Sequence, residues 1–223
     1  MHIEPGVVNG AKLVLSYGTA AGAAAYAGRE ALKTISSRGI LSFAARSAIA
    51  TIGTFVFFEI LPHFAAGVSE VHLILGSTLF LMLGVGPAAL GLAMGLLLQG
   101  MFFSPIDLPQ FFMNLTTLLV PLFALQAVAK RAIAKDTAYV DLTYKQALKL
   151  SFAYQGGVVA WVAFWVIWGQ GFGAMSSIMT FGAAYMSVVL LEPLVDLAVL
   201  GIAKSLKGLK GSGLVEDRLH TAG

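Results

Sequence analysis

Leu79-Phe80-Leu81-Met82-Leu83-Gly84-Val85-Gly86-Pro87-Ala88-Ala89-Leu90-Gly91-Leu92-Ala93-Met94-Gly95-Leu96-Leu97-Leu98 contains no charged side chain. It is interrupted once, at Gly84-Val85-Gly86-Pro87, a tight turn whose proline suits the first position of a helix. The stretch reads as two short apolar helices meeting end to end, over about 71–86 and 87–104. Working outward, runs of similar character lie at about 7–27, 39–61, 109–129, 146–168 and 174–203. Crossing a bilayer takes roughly 20 mostly apolar residues. The chain therefore reads as an all-α integral membrane protein of about seven transmembrane helices.

Composition agrees. Of the 223 residues 58% are apolar and only 11% charged, where a soluble domain carries about 25% charged residues. So few charges cannot cover a water-facing surface, and the solvent must be largely lipid. There are no cysteines, which excludes disulfides and thiolate metal ligands. The net charge is +3 and the basic residues sit in clusters between apolar runs, so there is no basic stripe for nucleic acid.

Orientation follows from lysine and arginine. Arg29, Lys33 and Arg38 fall in an expected loop at 28–38; Lys130, Arg131, Lys135 and Lys145 fall at 130–145; Lys204, Lys207, Lys210 and Arg218 lie in the tail. With seven spans all of these share one side, which is then cytoplasmic and leaves Met1 and His2 outside. The opposite segments hold no lysine or arginine except Lys12. Trp165 and Trp168 are expected in an interfacial aromatic belt. Residues 1–203 form one transmembrane domain, and 204–223, polar and glycine-containing, a flexible cytoplasmic tail. The first residues, Met1-His2-Ile3-Glu4-Pro5-Gly6, lack the basic start of a secretory signal, so the N-terminus is expected to stay uncleaved.

An α-amine followed by histidine at position 2 is a tridentate chelator. The Met1 amine, the deprotonated His2 amide and a His2 ring nitrogen close two fused rings in one plane. A second imidazole can fill the fourth position, giving the planar nitrogen set favoured by Ni(II) and Cu(II) over tetrahedral Zn(II). Pro5-Gly6 can turn the chain back over the first helix. His63 and His72 lie on the same expected side as His2, and His220 lies in the tail. Loop histidines at a membrane surface are more often interfacial than ligands, so this residue set alone leaves the metal site open.

Met1-His2-Ile3-Glu4-Pro5-Gly6 resembles the start of the CbiM/NikM family, the substrate-binding subunits of energy-coupling-factor transporters for cobalt and nickel. Gly67-Val68-Ser69-Glu70-Val71-His72-Leu73-Ile74-Leu75-Gly76 is similar to the family's second histidine segment, Leu96-Leu97-Leu98-Gln99-Gly100 to its leucine-glutamine stretch, and Phe112-Met113-Asn114-Leu115 to its asparagine segment. Departures are the Glu4-Pro5 order, one extra residue between Gly67 and His72, and Ser104-Pro105-Ile106-Asp107 in place of a double glycine. The resemblance implies Ni2+ or Co2+ as bound substrate, with no organic cofactor, held by Met1, His2 and His72. Asn114, Ser69, Glu59 and His63 would support the site. It further implies a multi-pass protein of the cell (plasma or inner) membrane. The implied partners are the lipid bilayer, a transmembrane coupling subunit, ATPase subunits and a small accessory membrane subunit.

Nothing suggests an enzyme: there is no Gly-x-x-x-x-Gly-Lys-Ser/Thr, so ATP hydrolysis would belong to partners. Arg46, Glu59, Glu192 and Asp196 lie in or near apolar spans, where ionisable groups are costly. Glu59 is read as an anchor for the metal loop, and the other three as helix-end pairs or snorkelling groups. Gly18-x-x-x-Gly22 and Gly91-x-x-x-Gly95 offer small faces for close helix packing. The rival reading is a structural or assembly membrane protein with no transported substrate.

Overall fold

The computed structural model describes residues 3–221. Its helices are α1 (Val14–Phe55), α2 (Gly76–Leu83), α3 (Val85–Phe102), α4 (Phe111–Ala132), α5 (Tyr144–Gln170), α6 (Met175–Met186) and α7 (Val188–Ser205). A hairpin of β1 (Phe64–Ala66) and β2 (Ser69–Val71) pairs antiparallel, with Phe64 opposite Val71. Among the described residues five helical stretches are long and apolar enough to cross a membrane: Gly10–Ile60, Val85–Phe102, Pro105–Ala132, Tyr144–Gln170 and Phe172–Ser205.

The expected spans and the observed helices differ in two places. Residues 28–38, expected as a loop, are helical, and the first two spans form one element broken only at Gly39 (φ 81°, ψ 161°). The segment is rich in helix formers and carries a Glu30–Lys33 ion pair three residues apart, at 2.5 Å. The turn therefore shrinks to the one residue type that takes positive φ without steric penalty. The expected span at 71–86 is also different. Only Gly76–Leu83 is helical there, 8 residues or about 12 Å of rise. The chain before it is spent on the hairpin and on an extended link, residues 72–75. Gly84 (φ 83°) then redirects the chain into α3.

Helix α3 lies against both halves of α1, and glycine permits the approach. A Cβ on Gly86 would stand 2.9 Å from the Glu30 carbonyl oxygen, one on Gly91 2.2 Å from the Ala50 Cβ, and one on Gly95 2.5 Å from Thr54 Cγ2. The Gly91-x-x-x-Gly95 face is thus an internal seam. Around Gly18 and Gly22 nothing stands within 4 Å of an added Cβ, so the first small face has no partner among the described residues.

The bundle has two dissimilar ends. At one, Lys12 Nζ donates to the Gly169 carbonyl (2.8 Å) and Trp168 Nε1 to the Lys12 carbonyl (3.2 Å), joining the start of α1 to the end of α5. Trp168 is exposed as an interfacial residue would be, but Trp165, expected beside it, is wholly buried inside the bundle. At the other end the basic residues gather. Lys204 pairs with Asp141 at 2.5 Å, Arg38 with Asp217, and Arg218 stacks over the Tyr139 ring at 5.1 Å.

The polar tail, expected to move freely, is laid along this basic end. Ser42 Oγ donates to the Gly213 carbonyl at 2.5 Å, the Glu216 amide donates to the Met82 carbonyl at 2.8 Å, and Leu219 is fully buried. Arg46, read as snorkelling, is instead 2% exposed; its Nη1 donates to Glu216 Oε2 (2.9 Å) and to the Leu83 carbonyl (3.1 Å). A buried guanidinium needs a counter-charge, and the tail supplies it.

Two outcomes follow. Glu216→Ala strands Arg46 and lowers stability by on the order of 3 kcal/mol, whereas loss of the exposed Asp217–Arg38 pair costs about 1 kcal/mol or less; thermal unfolding in detergent ranks the two variants. Gly91→Ala forces α3 off α1 and costs about 1–3 kcal/mol by overpacking, while Gly22→Ala stays within about 0.5 kcal/mol of the parent by the same assay.

Candidate metal centre

The hairpin, the N-terminal segment and the turn Pro105–Gln110 meet at the end opposite the basic cluster. Ile3 forms an antiparallel bridge with Ser69, and the Glu4 amide donates to the Val68 carbonyl at 3.2 Å, so the N-terminal segment runs as an added strand beside β2. The Ile3 amide donates to Asn114 Oδ1 at 2.9 Å, a bond between residues 111 apart in sequence. Apolar burial seats the same segment: Ile3 is 0%, Val7 6% and Val8 1% exposed. Gly169 allows this, because a Cβ there would stand 2.0 Å from the Val7 carbonyl oxygen.

His72 sits immediately beyond β2 and is 1% exposed. Its Nε2 lies 2.9 Å from Glu70 Oε2, and the Phe58 ring meets it edge-on with centroids 5.5 Å apart. Burial above all holds the His72 imidazole well below its ordinary pKa. The ring is therefore neutral at physiological pH, which is the state that can bind metal. Glu70, accepting Nε2–H, sets the tautomer and orientation of the ring in the manner of carboxylate partners of metal-ligating histidines. The link from His72 to α2 is strained at Leu75, a leucine at φ 53°.

The other expected residues fall as follows. Met1 and His2 lie outside the described residues. Ser69 is fully buried at the bridge to Ile3, and Asn114 is 1% exposed. The Nδ2 of Asn114 finds no acceptor among the described residues, which leaves a buried donor on the side chain that holds the Ile3 amide. Glu59 Oε2 accepts from Gln99 Nε2 at 3.3 Å on the wall between α1 and α3. His63 is exposed and stacks on His72, with centroids 4.8 Å apart and planes 14° from parallel. Imidazole lone pairs lie in the ring plane, so two nearly parallel rings cannot both aim at one ion; in this arrangement His63 covers His72 rather than joining it. His220 is remote, in the docked tail. Among the described residues no three histidine, aspartate or glutamate side chains converge as a metal-holding group.

Sequence reasoning passed over Glu70, Phe58 and Asp107. Glu70 is two residues before His72, and reading 69–71 as a strand would have put both on one face. Glu4, Glu70 and Asp107 interact electrostatically across the mouth, so the approach to His72 is acidic.

A multi-pass α-helical membrane protein with a buried, neutral imidazole beneath an acidic mouth is the class these features define. The family model for CbiM, the cobalt uptake substrate-specific transmembrane region, matches residues 2–208, and the chain belongs to that family. It is a transport component of the plasma membrane. Neither the curated proteins nor the solved structures give a match to the chain.

Removing the Asn114 carboxamide tests the clamp directly. In Asn114→Ala the buried Ile3 amide loses its acceptor, at about 1–3 kcal/mol. Hydrogen exchange at Ile3 then accelerates roughly ten- to hundredfold while the α5 amides keep their protection. Unaltered exchange at Ile3 would show that the bond does not hold the segment.

Proposed function

We propose that this chain is the substrate-capturing subunit of an energy-coupling-factor importer of Co2+ or Ni2+. The metal binds through the Met1 amine, the amide and ring nitrogens of His2, and the ring of His72. The observation that carries the reading is the clamp on Ile3. Its backbone is tied to Ser69 and Asn114, in the same loop cluster as the buried imidazole of His72. A chelate made from a chain terminus loses its advantage if that terminus wanders, because ordering it on binding costs free energy. A pre-seated third residue removes most of that cost. Glu70, Asn114 and Ser69 orient the donors, Glu59 and Gln99 stiffen the wall behind them, and His63 covers the mouth.

The acidic rim of Glu4, Glu70 and Asp107 raises the local concentration of a divalent cation. The lysine and arginine distribution sets the topology, with the metal mouth outside and the basic end with its docked tail cytoplasmic. Seven crossings then alternate the two sides, the third made by the extended link 72–75 and the short helix α2 running from the mouth to the basic end, and this lead-in is tolerated because protein surrounds it. The exposed small face of α1, Gly18 and Gly22 with Ala21 and Ala25, is where the transmembrane coupling subunit docks, and ATPase subunits below it drive transport.

His2→Ala and His72→Ala each lower Co2+ and Ni2+ affinity of the purified protein by about 100-fold or more, measured by equilibrium dialysis, and a one-residue N-terminal extension does the same. If all three leave affinity unchanged, the ligand set is wrong.

A further inference from the structure

Deep in the bundle, away from the mouth, α7 carries Glu192 and Asp196 one helical turn apart, both 0% exposed. Neither snorkels and neither pairs at a helix end, contrary to the expectation from sequence. Among the described residues no lysine, arginine or histidine forms an ion pair with either carboxylate. Their partners are neutral. Ser77 Oγ donates to Asp196 Oδ2 at 2.8 Å and Thr78 Oγ1 donates to Asp196 Oδ1. Ser151 Oγ and Gln155 Nε2 donate to Glu192 Oε2 at 2.5 and 2.9 Å.

Among the described residues, Gln155 Oε1, Tyr154 Oη and Tyr185 Oη find no hydrogen-bond partner, on residues that are 0% exposed. Gln155 Oε1 belongs to the amide whose nitrogen touches Glu192, so it cannot be far from that carboxylate. Both tyrosine hydroxyls interact electrostatically with Glu192, and Glu192 with Asp196. Four elements, α2, α5, α6 and α7, thus turn polar groups toward one place inside a lipid-embedded bundle. An unpartnered buried oxygen costs on the order of 1–3 kcal/mol, and an uncompensated buried carboxylate more. Such a cluster calls for a positive charge that coordinates oxygen.

We infer that Glu192, Asp196, Gln155 and the hydroxyls around them form a second, all-oxygen divalent-cation site inside the bundle. Two carboxylates balance a 2+ charge. Carboxylate, carbonyl and hydroxyl donors without nitrogen suit Mn2+ and Mg2+ and hold late transition metals weakly. Weak holding is what an inner station needs, since an ion bound too tightly does not leave. Ser77 and Thr78 belong to the helix that starts just after His72 (Ser77 is five positions beyond it), so the inner site lies within roughly 18 Å of the mouth along the chain. That the ion arriving there is the imported metal rests on the function proposed above; the oxygen site itself does not.

Mn2+ reads this site, by electron paramagnetic resonance titration of the full-length protein in lipid nanodiscs. Wild type binds Mn2+; the double variant Glu192→Gln with Asp196→Asn, which is isosteric and removes buried charge, weakens binding at least tenfold; His72→Ala leaves it within twofold. Gln155→Met, a milder change that deletes one unpartnered oxygen together with the amide donor to Glu192, weakens binding severalfold and covers the case in which the double variant does not fold. No Mn2+ binding by wild type overturns the inference, as does Mn2+ binding that survives Glu192→Gln with Asp196→Asn or Gln155→Met, or that is lost in His72→Ala. Co2+ dialysis on His72→Ala judges the mouth separately, so a failure there leaves the Mn2+ result to stand or fall alone.

Discussion

The hydrogen bond from the Ile3 amide to Asn114 Oδ1 is the constraint on which the metal end of this molecule depends. Non-helical backbone near a membrane must find partners for its amides and carbonyls within the protein. Residues 61–75 break the helical order between α1 and α2, and the N-terminal segment resolves the difficulty by pairing with β2. The dependence is mutual. Ile3 and Val68 gain a partner strand, and the loop carrying His72 gains a fixed wall. Asn114 can serve because α4 passes directly beneath, with its side chain buried where no water competes for the bond.

A second constraint governs the opposite end. Arg46 is almost wholly buried, so the chain must bring a carboxylate to it, and Glu216 arrives from a segment 170 residues away. That single need accounts for the order of a glycine-rich polar tail that composition marks as mobile. The tail's other contacts, Ser42 on the Gly213 carbonyl and Arg218 over Tyr139, then form at little further entropic expense, since the segment is already held.

The apolar runs of the sequence were readable because lipid imposes a length and a composition on anything that crosses it. Topology alone put His72 on the side of His2, whereas Asn114 and Ser69 entered only through family resemblance: spacing in sequence carries no sign that residues 69 and 114 both meet residue 3. The details lost were those decided by tertiary contact. Residues 28–38 look like a basic loop by charge counting, yet they continue the helix because nothing but Gly39 ends it. The run at 71–86 has the hydropathy of a span, but the hairpin pairing of Val71 with Phe64 and the extended link 72–75 claim its first residues. Trp165 looked interfacial from its place near a span end, yet it is wholly buried within the bundle.

Glu192 and Asp196 show why position in a hydropathy profile is a poor guide to a charged residue's fate. Their spacing puts both on one face of α7, and the face could have been lipid, surface or bundle. What decides it lies on other helices: Ser77 and Thr78 on α2 and Ser151 and Gln155 on α5, none of which stands out as chemical in a membrane sequence. Gly76 is part of the same arrangement, because a Cβ there would stand 2.2 Å from the Tyr154 ring, so α2 can approach α5 closely enough to reach the carboxylates. The short helix α2 thus joins the two ends of the molecule, starting just beyond His72, presenting its first hydroxyls to a buried acid and ending beside Arg46.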